Sequence, residues 1–170
     1  MKKFPVDSRA EIVYLVPPFP ISRTVHVIMK TFVPQTPTYE ERRWALINAE
    51  DKPLGRLAVS VANALRGKDT RVFDPSVDTG AFVVVTNAAK VRLTGRKDQQ
   101  KTYQTYSGYR GGQKTITVAS MRERHPDRII RLAVWGMLPK NNLSKKAMTR
   151  LKVYAGAEHP HAAQKPAALA

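Results

Sequence analysis

Residues 44–67 read WALINAEDKPLGRLAVSVANALRG and residues 82–86 read FVVVT; together these two stretches decide the fold class. Segment 44–50 suits a strand, with Trp44, Leu46 and Asn48 on one face and Ala45, Ile47 and Ala49 on the other. Pro53 fits the first turn of a helix, where its missing N–H costs nothing. Leu54, Leu57, Ala58, Val61, Ala62 and Leu65 then recur with helical period, and Gly67 is placed to cap the C-terminus. The run Phe82-Val83-Val84-Val85-Thr86 is continuously apolar and β-branched, as a strand covered on both faces requires. Strand, amphipathic helix, buried strand is the grammar of a βαβ unit, so the fold class is α/β.

Working outward, residues 1–38 hold six of the twelve prolines, at 5, 17, 18, 20, 34 and 37, and predict an extended N-terminal arm. Met29 also reads as a translation start, which leaves the place of residues 1–28 in the working protein open. The folded domain is expected over 39–155. A second helix starts near Pro126, with Ile129, Ile130, Ala133, Val134, Met137 and Leu138 on one face and Arg128, Arg131 and Trp135 on the other. The sequence Pro139-Lys140-Asn141-Asn142 breaks it, Ser144 reads as the cap of a short basic helix, and Val153-Tyr154-Ala155 reads as a returning strand. The Ala- and Pro-rich tail over 156–170 is expected to be extended.

Charge is the unusual quantity. The 170 residues contain 29 Lys and Arg against 13 Asp and Glu, a net charge of +16 and a pI near 10.4. Self-repulsion of that size calls for a polyanion. Between Lys90 and Lys152 sixteen cations face three acids, Asp98, Glu123 and Asp127. Lys90, Arg92, Arg96, Lys97, Lys101, Arg110 and Lys114 alternate with Tyr103, Tyr106 and Tyr109, followed by the pair Gly111-Gly112. Cations neutralise phosphates, tyrosine rings stack on unpaired bases, and glycines let backbone amides approach a phosphate. The bland reading is a solvated loop whose tyrosines cap the core. Arg128, Arg131, Lys140, Lys145, Lys146 and Arg150 would extend the same phosphate-binding surface, against the plainer reading of an exposed helix with Trp135 packed on a neighbour.

Other chemistries find little support. The absence of cysteine excludes disulfides and thiolate ligands and fits a cytoplasmic location. No apolar run approaches the ~20 residues of a membrane-spanning helix, and Ile12 to Val16 is too short for an export signal. The turn before the first helix carries a lone Gly55, with no dinucleotide fingerprint. Gly67-Lys68-Asp69-Thr70 has Ala62 where a phosphate loop needs glycine, and His159-Pro160-His161 lacks further ligands. No catalytic constellation, metal site, cofactor or small-molecule substrate is read.

Several ordered strings resemble the bacterial L-thirteen family of large-subunit ribosomal proteins. They are Leu54-Gly55-Arg56-Leu57-Ala58, Leu65-Arg66-Gly67-Lys68, Asn87-Ala88, Leu93-Thr94-Gly95, Lys101-Thr102-Tyr103 and Ser107-Gly108-Tyr109. Val134-Trp135-Gly136-Met137-Leu138-Pro139-Lys140-Asn141 is the most distinctive, and residues 151–156, 158–161 and 164–166 are similar too. The resemblance spans about 44–166. It implies a three-layer α/β/α domain around a small, mainly parallel sheet, contact with large-subunit ribosomal RNA and an early role in assembly. Neighbouring ribosomal proteins, among them the L-three and L-twenty families, are implied partners. The chain departs from the family pattern at Asn48 and Ala81, where acids are usual, and residues 1–28 have no counterpart. A DNA-binding regulator is the alternative, since the helix from Pro126 and the basic helix after it also read as a helix-turn-helix. A small enzyme acting on a phosphorylated ligand is a third reading, without an assembled nucleophile or carboxylate pair.

Overall fold

The computed structural model describes residues 33–169; the arm over 1–28, Met29 and His26 lie outside the described residues. In chain order the elements are strand Trp44–Asn48 (β1), helix Leu54–Arg66 (α1), strand Phe82–Thr86 (β2) and a short helix Lys97–Gln100 (α2). Strands Thr102–Tyr106 (β3) and Gln113–Thr117 (β4) follow, then helices Val118–Arg124 (α3), Pro126–Met137 (α4) and Asn142–Thr149 (α5). Strands Leu151–Val153 (β5) and Ala167–Ala168 (β6) end the chain.

The strand–helix–strand unit is as expected. β1 and β2 pair in parallel from Trp44↔Phe82 to Asn48↔Thr86, and every residue of β2 is buried. With β5 beside β2 and β6 beside β1, the sheet runs β5-β2-β1-β6, all parallel. Helices flank this parallel sheet, which is the predicted α/β organisation. The apolar stripe of α1 is buried, and Gly67 closes the helix with φ 78°, its amide bonded to Ala64 O at 3.2 Å. Each Leu or Val so buried stabilises the fold by ~1.5–3 kcal/mol. One cluster joins that stripe to Ile47, Val83, Val85 and Leu151 of the sheet and to Ile129, Ile130 and Val134 of α4. On the opposite face of the sheet the Trp44 and Phe82 rings stack at 4.5 Å, with Tyr39 edge-on to Phe82 and His161 beside Trp44.

The structure corrects several local expectations. Pro53 is the N-cap of α1 and not part of its first turn; its extended ψ of 128° lets it bridge Arg92 in parallel. Asn141, not Ser144, caps α5: its Oδ1 accepts the Ser144 amide at 2.8 Å, and Ser144 itself is buried one turn in. The returning strand sits two residues earlier than 153–155, because Leu151 and Val153 are the residues that alternate into the core. Met137 is 41% exposed while Leu138 is buried, so α4 ends with its apolar face turned one residue further on. The stretch around the tyrosines, a solvated loop on the bland reading, is a two-stranded antiparallel ribbon, β3–β4, turning through Gly108 (φ 91°) and Gly111 (φ 70°). Its Thr and Tyr content suits an extended chain. α3, unforeseen, follows it with Thr117 Oγ1 accepting the Ser120 amide. The tail runs through bends and a turn at Ala163 and Gln164 before β6 adds to the sheet edge through Ala45↔Ala167 and Leu46↔Ala168.

Candidate nucleic-acid interface

The turn from β1 into α1 and the chain after β2 meet at one place. Arg92 O accepts the Leu54 amide at 3.0 Å, and Arg92 N–H donates to Lys52 O at 3.1 Å. This pairing holds the start of α1 against the segment carrying Arg92, Leu93 and Thr94. α2 then presents Lys97, and Lys101 follows it. The result is a groove of about 610 Å³ in which Arg56, Arg92, Lys97 and Lys101 converge over Leu93, Ala133 and Met137. No acid lies in the first turn of α1 and no side chain caps it, so the helix dipole adds positive potential to the cations. Arg56 was missed from sequence because it stands outside the basic stretch. Its signal was position: a cation in an uncapped first turn, directly after the only small residue there.

The ribbon carries the tyrosines, and they divide. Tyr103 is half-buried against the core, pairs with Ile116 across the ribbon, and its hydroxyl has no protein partner. Burial pushes its phenol up from the usual range, and Lys101 Nζ lies 5.3 Å from its ring centre. Tyr106 and Tyr109, 68% and 79% exposed, stand free at the ribbon tip beside exposed Arg110 and Lys114. A second groove, of about 470 Å³, lies where β4 meets α3 and α4 and takes in Arg124, His125 and Arg128. Arg124 and His125 were not singled out from sequence, since the helix that presents Arg124 was not foreseen.

The remaining predicted cations are not equivalent. Lys90 is exposed but bonded to Glu50 at 2.6 Å, an interaction that raises the lysine and lowers the carboxyl. Arg131 pairs with Asp127 one helical turn away at 3.6 Å. Lys140 folds over the Trp135 ring at 4.3 Å and donates to Trp135 O, so one face of this indole is covered. Arg96, Lys145 and Lys146 are exposed and line neither groove.

Arg150 does not belong to the surface at all. Only 6% exposed, it clasps Asp78 through Nη1 at 2.5 Å and Nη2 at 2.7 Å, and Nη2 also donates to Leu65 O at 3.2 Å. Arg42 joins the same carboxylate at 3.4 Å and donates to Gly80 O at 2.7 Å. Burial alone would push Asp78 upward, but the bonds and charge of Arg150, with the charge of Arg42, hold its carboxyl below the usual range. A charge satisfied in this way is withdrawn from any ligand; it pins the connection between α1 and β2 instead.

Among the described residues no group of three or more His, Asp or Glu is arranged to hold a metal ion. His159 and His161 are partly buried and engaged with neighbours: His161 Nε2 lies 2.9 Å from Tyr154 Oη, and His159 Nδ1 accepts the His161 amide. Burial, then Lys152 and His159, lower His161. Among the described residues no helix is long and apolar enough to cross a membrane.

The sequence profile of the family described as ribosomal protein L13 matches residues 42–160, which include every element from β1 to β5. A relative from Beutenbergia cavernae, named large ribosomal subunit protein uL13, is 54% identical over 138 residues, 81% of this chain and 93% of its own length. Relatives of the same name from Halorhodospira halophila and Brevibacillus brevis are 52% and 54% identical, covering 83% and 81% of this chain and 99% and 95% of theirs. With a matched span that carries three of the four parallel strands and the convergent cations, the chain belongs to the ribosomal protein L13 family.

Proposed function

We propose that this chain is a structural, non-catalytic constituent of the large ribosomal subunit, in the cytoplasm, that binds and stabilises large-subunit rRNA during early assembly. The observation that carries the reading is the convergence of Arg56, Arg92, Lys97 and Lys101 in one groove of a chain whose close relatives are named large-subunit proteins. Residues 39–155 form the RNA-binding domain. Around the groove, Arg96, Arg110, Lys114, Arg128, Lys145 and Lys146 extend the phosphate-binding surface, with Lys90, Arg131 and Lys140 free to exchange their present partners for phosphates. Tyr106 and Tyr109 stack on unpaired bases, and Tyr103 supports the ribbon beneath them. Proteins of the L-three and L-twenty families are the expected neighbours.

The DNA-binding alternative is not favoured. α5 packs against α1 and β5 and buries Ser144 and Ala147, which ties the second helix of the would-be motif to the domain core. The relatives described above are all named large ribosomal subunit protein uL13.

Salt dependence tests the electrostatic part. If ~6 phosphates are neutralised, log affinity for large-subunit rRNA falls against log salt with a slope near −5. A slope near zero contradicts the reading. Preassembled rRNA with neighbouring proteins should bind more tightly than isolated fragments, because the cations are spread over several elements.

A further inference from the structure

We infer that the groove at the start of α1 receives one unstacked nucleotide of the bound RNA, its phosphate among Arg56, Arg92, Lys97 and Lys101 and its base on the floor formed by Ala133 and Met137. The inference rests on the RNA-binding reading and deepens it. Stacked RNA presents phosphates on a convex surface with its bases turned inward. A flat or shallowly concave patch of cations is enough for that. This site is concave and of about 610 Å³, inside the ~300–1,000 Å³ range of small-molecule pockets. Its lining mixes these cations with the apolar side chains of Leu93, Ala133 and Met137. Met137 is 41% exposed while its neighbour Leu138 is buried, so the thioether is left at the groove instead of in the core. Phosphates alone would leave the apolar side chains of the lining wet, whereas an unstacked base covers them, and methionine adapts to an aromatic face. Gly55 lies in the same wall, and a Cβ built on it meets no atom of the protein within 4 Å. A methyl added there would project into open space at the groove wall.

The full chain, labelled at its methionine methyls and backbone amides, is titrated with adenosine 5′-monophosphate and, separately, with inorganic phosphate. The nucleotide should shift the Met137 methyl and the Gly55 and Arg56 amides saturably. Phosphate should shift the amides and leave the methyl in place. Met137→Ala should weaken the nucleotide about twofold to tenfold, the range of one sulfur–aromatic contact, and leave phosphate unchanged; Arg56→Ala should weaken both. Gly55→Ala should weaken the nucleotide without lowering the unfolding midpoint. A silent Met137 methyl, equal effects of nucleotide and phosphate, or nucleotide binding indifferent to Met137→Ala would overturn the inference. The salt slope on rRNA judges the underlying reading separately: a normal slope with a silent Met137 removes only the nucleotide site, while a flat slope removes the RNA-binding reading itself.

Discussion

Single side chains show where charge is used for folding and where it is left for a ligand. Arg150 sits at the end of a basic run and was grouped with the surface cations, yet Asp78, seventy-two residues away in sequence, neutralises it inside the domain. Nothing local to either residue announces the pair; it exists because β5 enters beside β2 and brings Arg150 under the connection that carries Asp78. Asp78→Ala leaves Arg150 buried and unpaired, and chemical denaturation at neutral pH should register a loss of about 3 kcal/mol. The pH dependence follows from the lowered carboxyl. Its stabilisation is present above the unfolded value near 4 and is lost as pH falls through the lower folded value. Wild-type protein should therefore lose more stability than Asp78→Asn as the pH is taken below about 4, in parallel urea titrations. Gly80, beside this network, has no room for a side chain, since a Cβ would fall 1.8 Å from Leu65 O. Gly80→Ala should cost about 1–3 kcal/mol through the forced backbone shift, again read by denaturation. The tyrosines separate by the same logic. Tyr103→Ala should destabilise the fold, whereas Tyr109→Ala should leave the unfolding midpoint alone and weaken RNA by ~1–3 kcal/mol if its ring stacks on a base.

Periodicity made the principal elements legible, and its failures have identifiable causes. The stripe of α1 and the β-branched run of β2 specify their structures through burial, and both form where the pattern places them. The ribbon β3–β4 was not recognised because both strands are largely exposed and lack an apolar alternation; cations and tyrosines there read equally well as a loop. β6 is two residues long and all alanine, so only tertiary pairing defines it. The cap of α5 was assigned three residues late because Ser144 and Asn141 are both good capping residues, and the choice depends on which side chain stays outside the core. Asn141→Ala should cost about 1 kcal/mol and Ser144→Ala should not act as a cap loss, a difference that thermal unfolding of the two variants reads directly.

For the whole molecule, composition identified the class of partner and folding sorts its cations into roles. A net charge of +16 asks for a polyanion, but it does not say which residues meet it. Of the sixteen predicted contact residues, the structure gathers Arg92, Lys97 and Lys101 with Arg56 in one groove and puts Arg128 in another. It holds Arg150 in the interior. That sorting was illegible in sequence because the groove is assembled from α1, the chain after β2, α2 and α4, which are distant until the sheet forms. Replacing Arg56, Arg92 or Lys97 singly by Ala should lower the magnitude of the rRNA salt slope by about 1 each and leave stability nearly unchanged.

In the assembled particle, one sorted basic surface is expected to lie against large-subunit RNA. Photocrosslinking inside purified large subunits, read residue by residue along this chain, tests it most directly. Adducts to the large rRNA are expected at Lys101, Tyr106 and Tyr109 and around Arg56, with none at Arg150. Adducts confined to the Tyr39–Trp44–His161 face, or a chain that does not travel with large subunits, would contradict it.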